Sequence, residues 1–339
     1  MAGIFRDSFR GYTGSAAPVG LGAKWESISG VSLVTGRFGG QAVQCDDGNQ
    51  GMTSRNFDAA SASVGLCVGF KVSNTGGAYS RILFMSDTTA MFGIGFNADG
   101  SITAYRQTAT GSGATALGTS DTGIIQESVW YTLELKATVS DTTGSVAVKI
   151  DNVEVLNLSN VDTRNGTPTT VNRVRLQSAI TGGGTTFDSL YITDQNAYLT
   201  KPVRSEVLLP SSDGATLNWA PSTGTDHFAV VDEVPVSTTD YLSASVVGDV
   251  DELGLTNLAS TPASIEEVNV VFFASKTDAV ARDIYLGVKS GSTNSDGTGQ
   301  ALTSTGIQHE RPLATDPDTA VAWTASGVNA LQLRPKVAV

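Results

Sequence analysis

The chain has 339 residues, of which 40% are hydrophobic and only 16% charged, with 37 glycines. That composition excludes wholesale disorder and leaves room for two ordinary domains. Twenty-one basic and 33 acidic side chains give a formal net charge of −12, and with no basic stripe in either half the sequence argues against a nucleic-acid partner.

Abundant Gly, Ser, Thr and Val point to an all-β chain, because Thr and Val suit strands and Gly suits tight turns. The opening 1-MAGIFRDSFRGYTG-14 lacks the apolar core of a secretory signal, so synthesis and assembly in the cytosol are expected. No window approaches 18 apolar residues, and no membrane insertion is predicted.

Period-2 alternation then predicts strands at 3–9, 31–35, 41–45, 64–73 and 81–86. A hairpin follows at 91–108, turning at Asn97 to Gly100 with Gly100 supplying a positive φ. The clearest unit is 129-VWYTLELKATVSDTTGSVAVKIDNVEVLNLS-159. Tyr131, Leu133, Leu135 and Ala137 alternate with polar residues, and turns at 141–144 and 151–152 make it a three-strand meander. Trp130 is expected in the core.

Strands at 171–178 and 187–193 close the first half. In 187-FDSLYIT-193 simple alternation puts Leu190 and Ile192 on one face and Phe187, Ser189 and Tyr191 on the other. Asp188 at the strand start is expected to accept backbone N–H bonds from a neighbouring loop. Asp188 and Asp194 would lie near 20 Å apart, at roughly 3.3 Å per residue, which is poor geometry for a catalytic pair. The polar run 195-QNAYLTKPVR-204 marks a boundary, giving domains 1–197 and 198–339.

The second half again reads as β, at 204–210, 226–234, 240–248, 265–276, 282–291 and 328–338. Leu253–Leu258 reads as a turn or a single helical turn, and 290–299 as an exposed hairpin tip or connector. The expected fold class is all-β, two β-sandwich domains, the first closed as a jelly roll.

Catalytic motifs are absent: no HExxH, CxxC, GxxxxGK[ST] or GxSxG occurs. His227 and His309 are the only histidines and are expected to face solvent or end strands. Asp232-Glu233 and Glu266-Glu267 point to opposite strand faces, and Asp249 and Asp251 read as solvated turn acids. Cys45 and Cys67 read as buried free thiols, with a disulfide between neighbouring strands as the alternative. Calcium is the one cofactor the sequence suggests: Asp46, Asp47 and Asn49 in 46-DDGNQG-51 give the oxygen-rich mixture it favours, and 294-NSDGTG-299 is a second such loop. Tyr12, Trp25, Tyr79 and Tyr105 are candidates to stack on sugar rings from exposed loops. Trp25, Tyr79 and Tyr105 form the proposed carbohydrate-binding set.

Residues 1–196 resemble the concanavalin A-like, laminin-G-like sandwiches of phage structural proteins. The resemblance is carried by 5-FRDSF-9, Trp25 before a Gly-rich segment, 66-LCVGFKVS-73, 96-FNADGSI-102, the 130–155 meander and the closing 187-FDSLYITD-194. The second half resembles a domain appended to such sandwiches in tailed-phage virion proteins. It does so through 219-WAPSTGTDHFAVVDEVPVSTTDYLSAS-245, 268-VNVVFFASK-276 and 316-DPDTAVAWTASGVNALQLRPKVA-338. The resemblance implies a non-enzymatic virion surface protein: a capsid decoration or head fibre, or a tail tip or tail fibre. Its implied partners are other virion proteins, further copies of the chain (a trimer favoured) and a host surface glycan. The resemblance supplies no catalytic residues. The alternatives are a carbohydrate-binding adhesin and a glycan depolymerase, which needs two carboxylates facing each other across a groove.

Overall fold

A computed structural model of the chain describes residues 3–10, 12, 24–38, 40–46, 50–73, 80–107, 114–178, 184–199, 203–234 and 236–339. The chain divides into two compact units, Met1–Ser205 and Glu206–Val339.

The first unit contains β1 (Gly3–Asp7), β2 (Trp25–Ser29), β3 (Val31–Thr35), β4 (Gln41–Cys45), β5 (Gly51–Ser54), β6 (Ser63–Val72), β7 (Ser80–Ser86) and β8 (Thr89–Phe96). They are followed by β9 (Ile102–Arg106), β10 (Thr115–Thr119), β11 (Trp130–Thr138), β12 (Gly144–Ile150), β13 (Val153–Val161), β14 (Arg173–Gln177) and β15 (Thr185–Thr193). One sheet runs β13-β12-β11-β6-β15-β4-β3, with β1 pairing β15; the other runs β10-β9-β8-β7-β14-β5-β2. The chain changes sheet between β1 and β2, β2 and β3, β4 and β5, β5 and β6, β6 and β7, β10 and β11, β13 and β14, and β14 and β15. This makes the expected jelly-roll sandwich.

Alternation explains the packing. Leu66, Val68 and Phe70 of β6 meet Ile82, Phe84, Phe92, Ile94 and Phe96 of the opposite sheet. Phe70 and Phe96 stack at 4.5 Å between ring centroids. Turn chemistry fixes the registers. Gly100 has φ +75°, and its amide donates to the Asn97 carbonyl at 3.0 Å. Asp151 and Asn152 both have positive φ, 45° and 69°, as a two-residue type I′ hairpin requires.

Simple alternation fails in β15. Asp188 pairs with Gly69 and Tyr191 with Cys67, so three residues of β15 oppose two of β6. The extra residue is Ser189, at φ +55°. The bulge puts Phe187, Leu190 and Ile192 together in the core and leaves Asp188 and Tyr191 on the outer side. Trp130 likewise shares the outward parity of Thr132 and Glu134; it is half-buried with Lys71 Nζ 5.2 Å from its ring, and so is not a core residue.

The second unit holds β16 (Pro210–Leu217), β17 (Ala220–Pro221), β18 (Leu242–Ser243), β19 (Asp251–Leu255), β20 (Val268–Ala274) and β21 (Asp283–Ser290). Then come β22 (Thr293–Ser295), β23 (Gln300–Ala301), β24 (Ile307–Leu313), α1 (Ala325–Asn329) and β25 (Gln332–Val337). A six-stranded sheet, order β16-β19-β25-β21-β22 with β23 on β21, and the β20–β24 ribbon enclose a core of Val270, Ile284, Leu286, Val288, Trp323, Val328 and Leu331. Where a strand was expected at 226–234, the chain makes a 3₁₀ turn, Phe228–Val230, whose first amides are held by Asp213. The expected turn around Leu253 is instead strand β19. In α1, Thr324 Oγ1 accepts the Gly327 amide at 3.0 Å as the N-cap.

Candidate functional site

A sandwich presents two outer faces, and the first unit treats them differently. The outer face of the eight-stranded sheet is crossed by the unit's own last residues. Leu199 and Val203 pack on Cys67 and Tyr191, and the Val203 amide points at Cys67 Sγ, 3.4 Å away. The Tyr198 ring lies under Lys136 Nζ and Lys149 Nζ, at 4.6 and 4.2 Å, and its hydroxyl donates to Glu154 at 3.0 Å. A Cβ at Gly65 would stand 2.5 Å from the Ala197 carbonyl, so this close approach needs glycine. One cavity beside this strap, lined by Arg37, Thr132, Asp188, Ser189 and Arg204 among others, measures about 50 Å³. It has room for water and not for a pyranose ring. Asp188, 1% exposed, accepts the Arg37 amide there at 2.9 Å.

The outer face of the seven-stranded sheet carries a different set. Val174 and Leu176 of β14 point into the core, so Arg173, Arg175 and Gln177 point outward. Registry then lays out one line across the strands: Tyr105 opposite Gly93, Gly93 opposite Leu83, Leu83 opposite Arg175, Arg175 opposite Thr53. A parallel line runs Thr103, Gly95, Arg81, Gln177 and Gly51. Tyr105, Arg81 and Arg175 are half-buried. Leu83 and Met85 are buried on this face. A half-buried aromatic ring with guanidinium groups on other strands of the same sheet suits a sugar: an apolar ring face packs on Tyr while hydroxyls and acidic groups find donors.

The charges on this face are unequal in their pairing. Arg173 Nη1 meets Glu26 at 2.5 Å, and its Nε donates to Asn56 at 2.7 Å. Arg175 has no ion-pair or side-chain hydrogen-bond partner among the described residues, and its Nε is buried without one. Burial pulls the Arg175 pKa below its ordinary value. Gln107, 1% exposed, buries both amide atoms without a partner, two residues beyond Tyr105 on the β9 line.

Of the carbohydrate candidates, Trp25 is corrected outright. It is fully buried, packed edge-on against Phe5 at 5.4 Å, and its Nε1 donates to Asp7 at 2.7 Å. Tyr12 is buried as well and donates to the same carboxylate oxygen at 2.5 Å. Both ends of their amphipathic rings are satisfied inside the core, which leaves nothing for a ligand. Tyr79 lies outside the described residues. Tyr105 lies on the outer line just described.

Of the calcium set, Asp47 and Asn49 lie outside the described residues. Asp46 accepts from Gln44 Nε2 at 3.2 Å and Ser32 Oγ at 3.4 Å. Among the described residues no three His, Cys, Asp or Glu side chains cluster. In the second oxygen-rich loop the Asp296 carboxylate is taken by Arg334 and Lys336. Cys45 and Cys67 are free and buried, and burial drives the thiol of Cys67 up to about 12.

The histidines depart from expectation. His227 and His309 are 8% and 6% exposed. His227 Nδ1 lies 2.6 Å from Asp251 Oδ2; the other oxygen of Asp251 accepts the Asn218 and Trp219 amides at 2.7 and 2.8 Å. Asp251 is therefore a buried strand residue that holds the Asn218–Trp219 backbone after β16, not a solvated turn acid. His309 Nδ1 faces Gln300 at 3.2 Å, and burial lowers its pKa.

No family model matches the chain, and no curated protein matches it. Solved structures do. An endo-β-1,4-glucuronan lyase from the fungus Trichoderma reesei is similar at 12% identity and TM-score 0.41, over 59% of this chain and all of that one. Alginate lyase Aly36B is similar at 11% identity and TM-score 0.37, over 56% and 95%. Domain 4 of AbnA, an extracellular arabinanase from Geobacillus stearothermophilus solved with arabinotriose, is similar at 16% identity and TM-score 0.36, over 51% and 83%. The expectation that the chain is not an enzyme is corrected by the lyases in this set.

Proposed function

We propose that the chain is a glycan-binding protein of a tailed-phage virion surface, and that the outer face of the seven-stranded sheet holds the sugar. One observation carries the location: the other outer face is occupied by the unit's own strap, whereas this one carries half-buried Tyr105, Arg81 and Arg175 on β9, β7 and β14. The virion reading rests on the sequence resemblance of both halves to phage particle proteins, with other virion proteins and further copies of the chain as partners.

The test of binding is a titration of the full chain with soluble acidic and neutral polysaccharides, each polymer also assayed for cleavage. Tyr105→Ala is expected to weaken binding about tenfold, equivalent to ~1.4 kcal/mol, with an unchanged thermal midpoint because the ring is not part of the core. Wild-type affinity in that variant would remove the face from consideration. The particle assignment is tested by labelling purified virions with an antibody to the chain; unlabelled particles would end it.

A further inference from the structure

We infer that this face selects acidic glycans, and that Arg175 takes the anionic substituent, a carboxylate or a sulfate, of the bound sugar. The inference rests on the glycan-binding reading above and adds the ligand class and the residue that reads it.

Other arginines pair with carboxylates, while Arg10, in the turn after β1, is like Arg175 half-buried with no side-chain partner among the described residues. Arg6 meets Asp58, Arg106 meets Asp162, Arg164 meets Asp141, Arg173 meets Glu26, and Arg282 meets Asp278. Arg175, two residues from Arg173 on the same strand and the same face, meets none. A guanidinium keeps its charge at any ordinary pH, so a half-buried one gives up hydration and, unpaired, receives nothing in return. Its cross-strand neighbours Thr53 and Leu83 carry no charge. Glu26, at this edge of the sheet, is held by Arg173. An anion supplied from outside is the partner the site lacks. Arginine's planar fork suits a two-oxygen group bound through two parallel hydrogen bonds.

Gln107 is a second, independent sign. Its side-chain oxygen and nitrogen are both buried with no partner, whereas buried amides are nearly always satisfied. A ligand with hydroxyls offers both a donor and an acceptor. Tyr105 and Arg175 are three strand spacings apart, roughly 14 Å, so a chain lying along this line would span several sugar rings. The chain's net charge of −12 gives no general attraction for polyanions; any preference for an acidic glycan has to come from a local cation.

The experiment compares full-length wild type, Arg175→Gln, Arg175→Lys and Tyr105→Ala against polygalacturonate, alginate, fully methyl-esterified polygalacturonate, dextran sulfate and dextran. Binding is read by titration calorimetry and stability by thermal midpoint. Wild type is expected to bind a polyuronate or dextran sulfate at least tenfold more tightly than the matching uncharged polymer. Arg175→Gln should abolish that ratio while leaving the uncharged polymer's affinity unchanged, and Arg175→Lys should restore part of it. The midpoint of Arg175→Gln should equal or exceed that of wild type, since an uncompensated charge has been removed. A polyuronate preference identifies carboxylate as the anion, and a dextran sulfate preference identifies sulfate. The inference is overturned if Arg175→Gln keeps the charge preference, if its midpoint falls by several degrees, or if wild type shows no preference. Neutral-glycan binding that is lost in Tyr105→Ala would then leave the glycan-binding reading standing alone. Wild-type binding in both variants would overturn the two together.

Discussion

At the scale of the residue, the most informative side chain is one whose expected role changed. Trp25 belongs to a buried carboxylate network: Asp7 takes Tyr12 and Trp25 on one oxygen and the Phe9 amide, at 2.8 Å, on the other. Burial still raises the Asp7 pKa despite these donors. Trp25→Ala removes a packed ring and one donor at once, and should cost about 3–5 kcal/mol in urea unfolding. Asp296 runs the other way. Burial disfavours its charge, but the hydrogen bonds from Lys336 and Arg334 outweigh that and hold the carboxyl below its ordinary 3.8. Between the two pKa values the unfolded chain binds more protons, so the stabilisation is present above the unfolded value and is lost as pH falls through the folded one. Midpoints measured from pH 6 down to pH 2.5 should fall for wild type, while Asp296→Asn should start lower and fall less. The sequence marks Tyr105 as an exposed-loop aromatic; it lies instead on strand β9, where alternation turns it away from the apolar set. Arg175 was not legible in the sequence, because 173-RVRLQ-177 looks like any half-polar strand. What distinguishes it from Arg173 on the same strand is the missing partner, and pairing between distant strands is a tertiary fact.

At the scale of the element, the strands that alternate strongly were readable and the flat ones were not. The 129–159 meander follows its pattern residue by residue. Strands β2 (WESIS), β5 (GMTS) and β10 (TALGT) are short and mixed, and they exist because longer neighbours template them. The reverse error occurs at 226–234, where the chain makes a 3₁₀ turn, and at 240–248, where only Leu242–Ser243 pairs with a strand, β17. The bulge at Ser189 was invisible because nothing in 187-FDSLYIT-193 announces a shift of register. Its consequence is the outward Tyr191, on which the strap residues Leu199 and Val203 close over Cys67. Leu199→Ala should loosen that cover. Alkylation by iodoacetamide, followed by mass spectrometry, should then quicken at Cys67 and stay slow at Cys45, which lies in the main core. Equal acceleration at both thiols would mean that the whole sandwich had opened.

At the scale of the molecule, the two units are stabilised by different means. Among the described residues the first unit's core cluster has 38 buried members and the second's has seven. The second unit instead spends charge on its main sheet: Lys289 meets Glu252, and Arg334 and Lys336 meet Asp296. It also leaves Tyr241, Val246, Val247, Val280 and Val321 more than half exposed. Hydrophobic burial is the dominant favourable term of folding, while ion pairs near the surface contribute modestly and are screened by salt. The second unit should therefore unfold first. Calorimetry of the full chain is expected to show two transitions. The lower one should move down with added salt, at low pH and in Asp296→Asn. The upper one should move down in Trp25→Ala and be insensitive to moderate salt. A fragment ending at Ser205 should keep the upper transition at its full-length temperature, because the strap that seals the outer face of its eight-stranded sheet ends within it. One cooperative transition shifted equally by both substitutions would show instead that the two units fold as a single body.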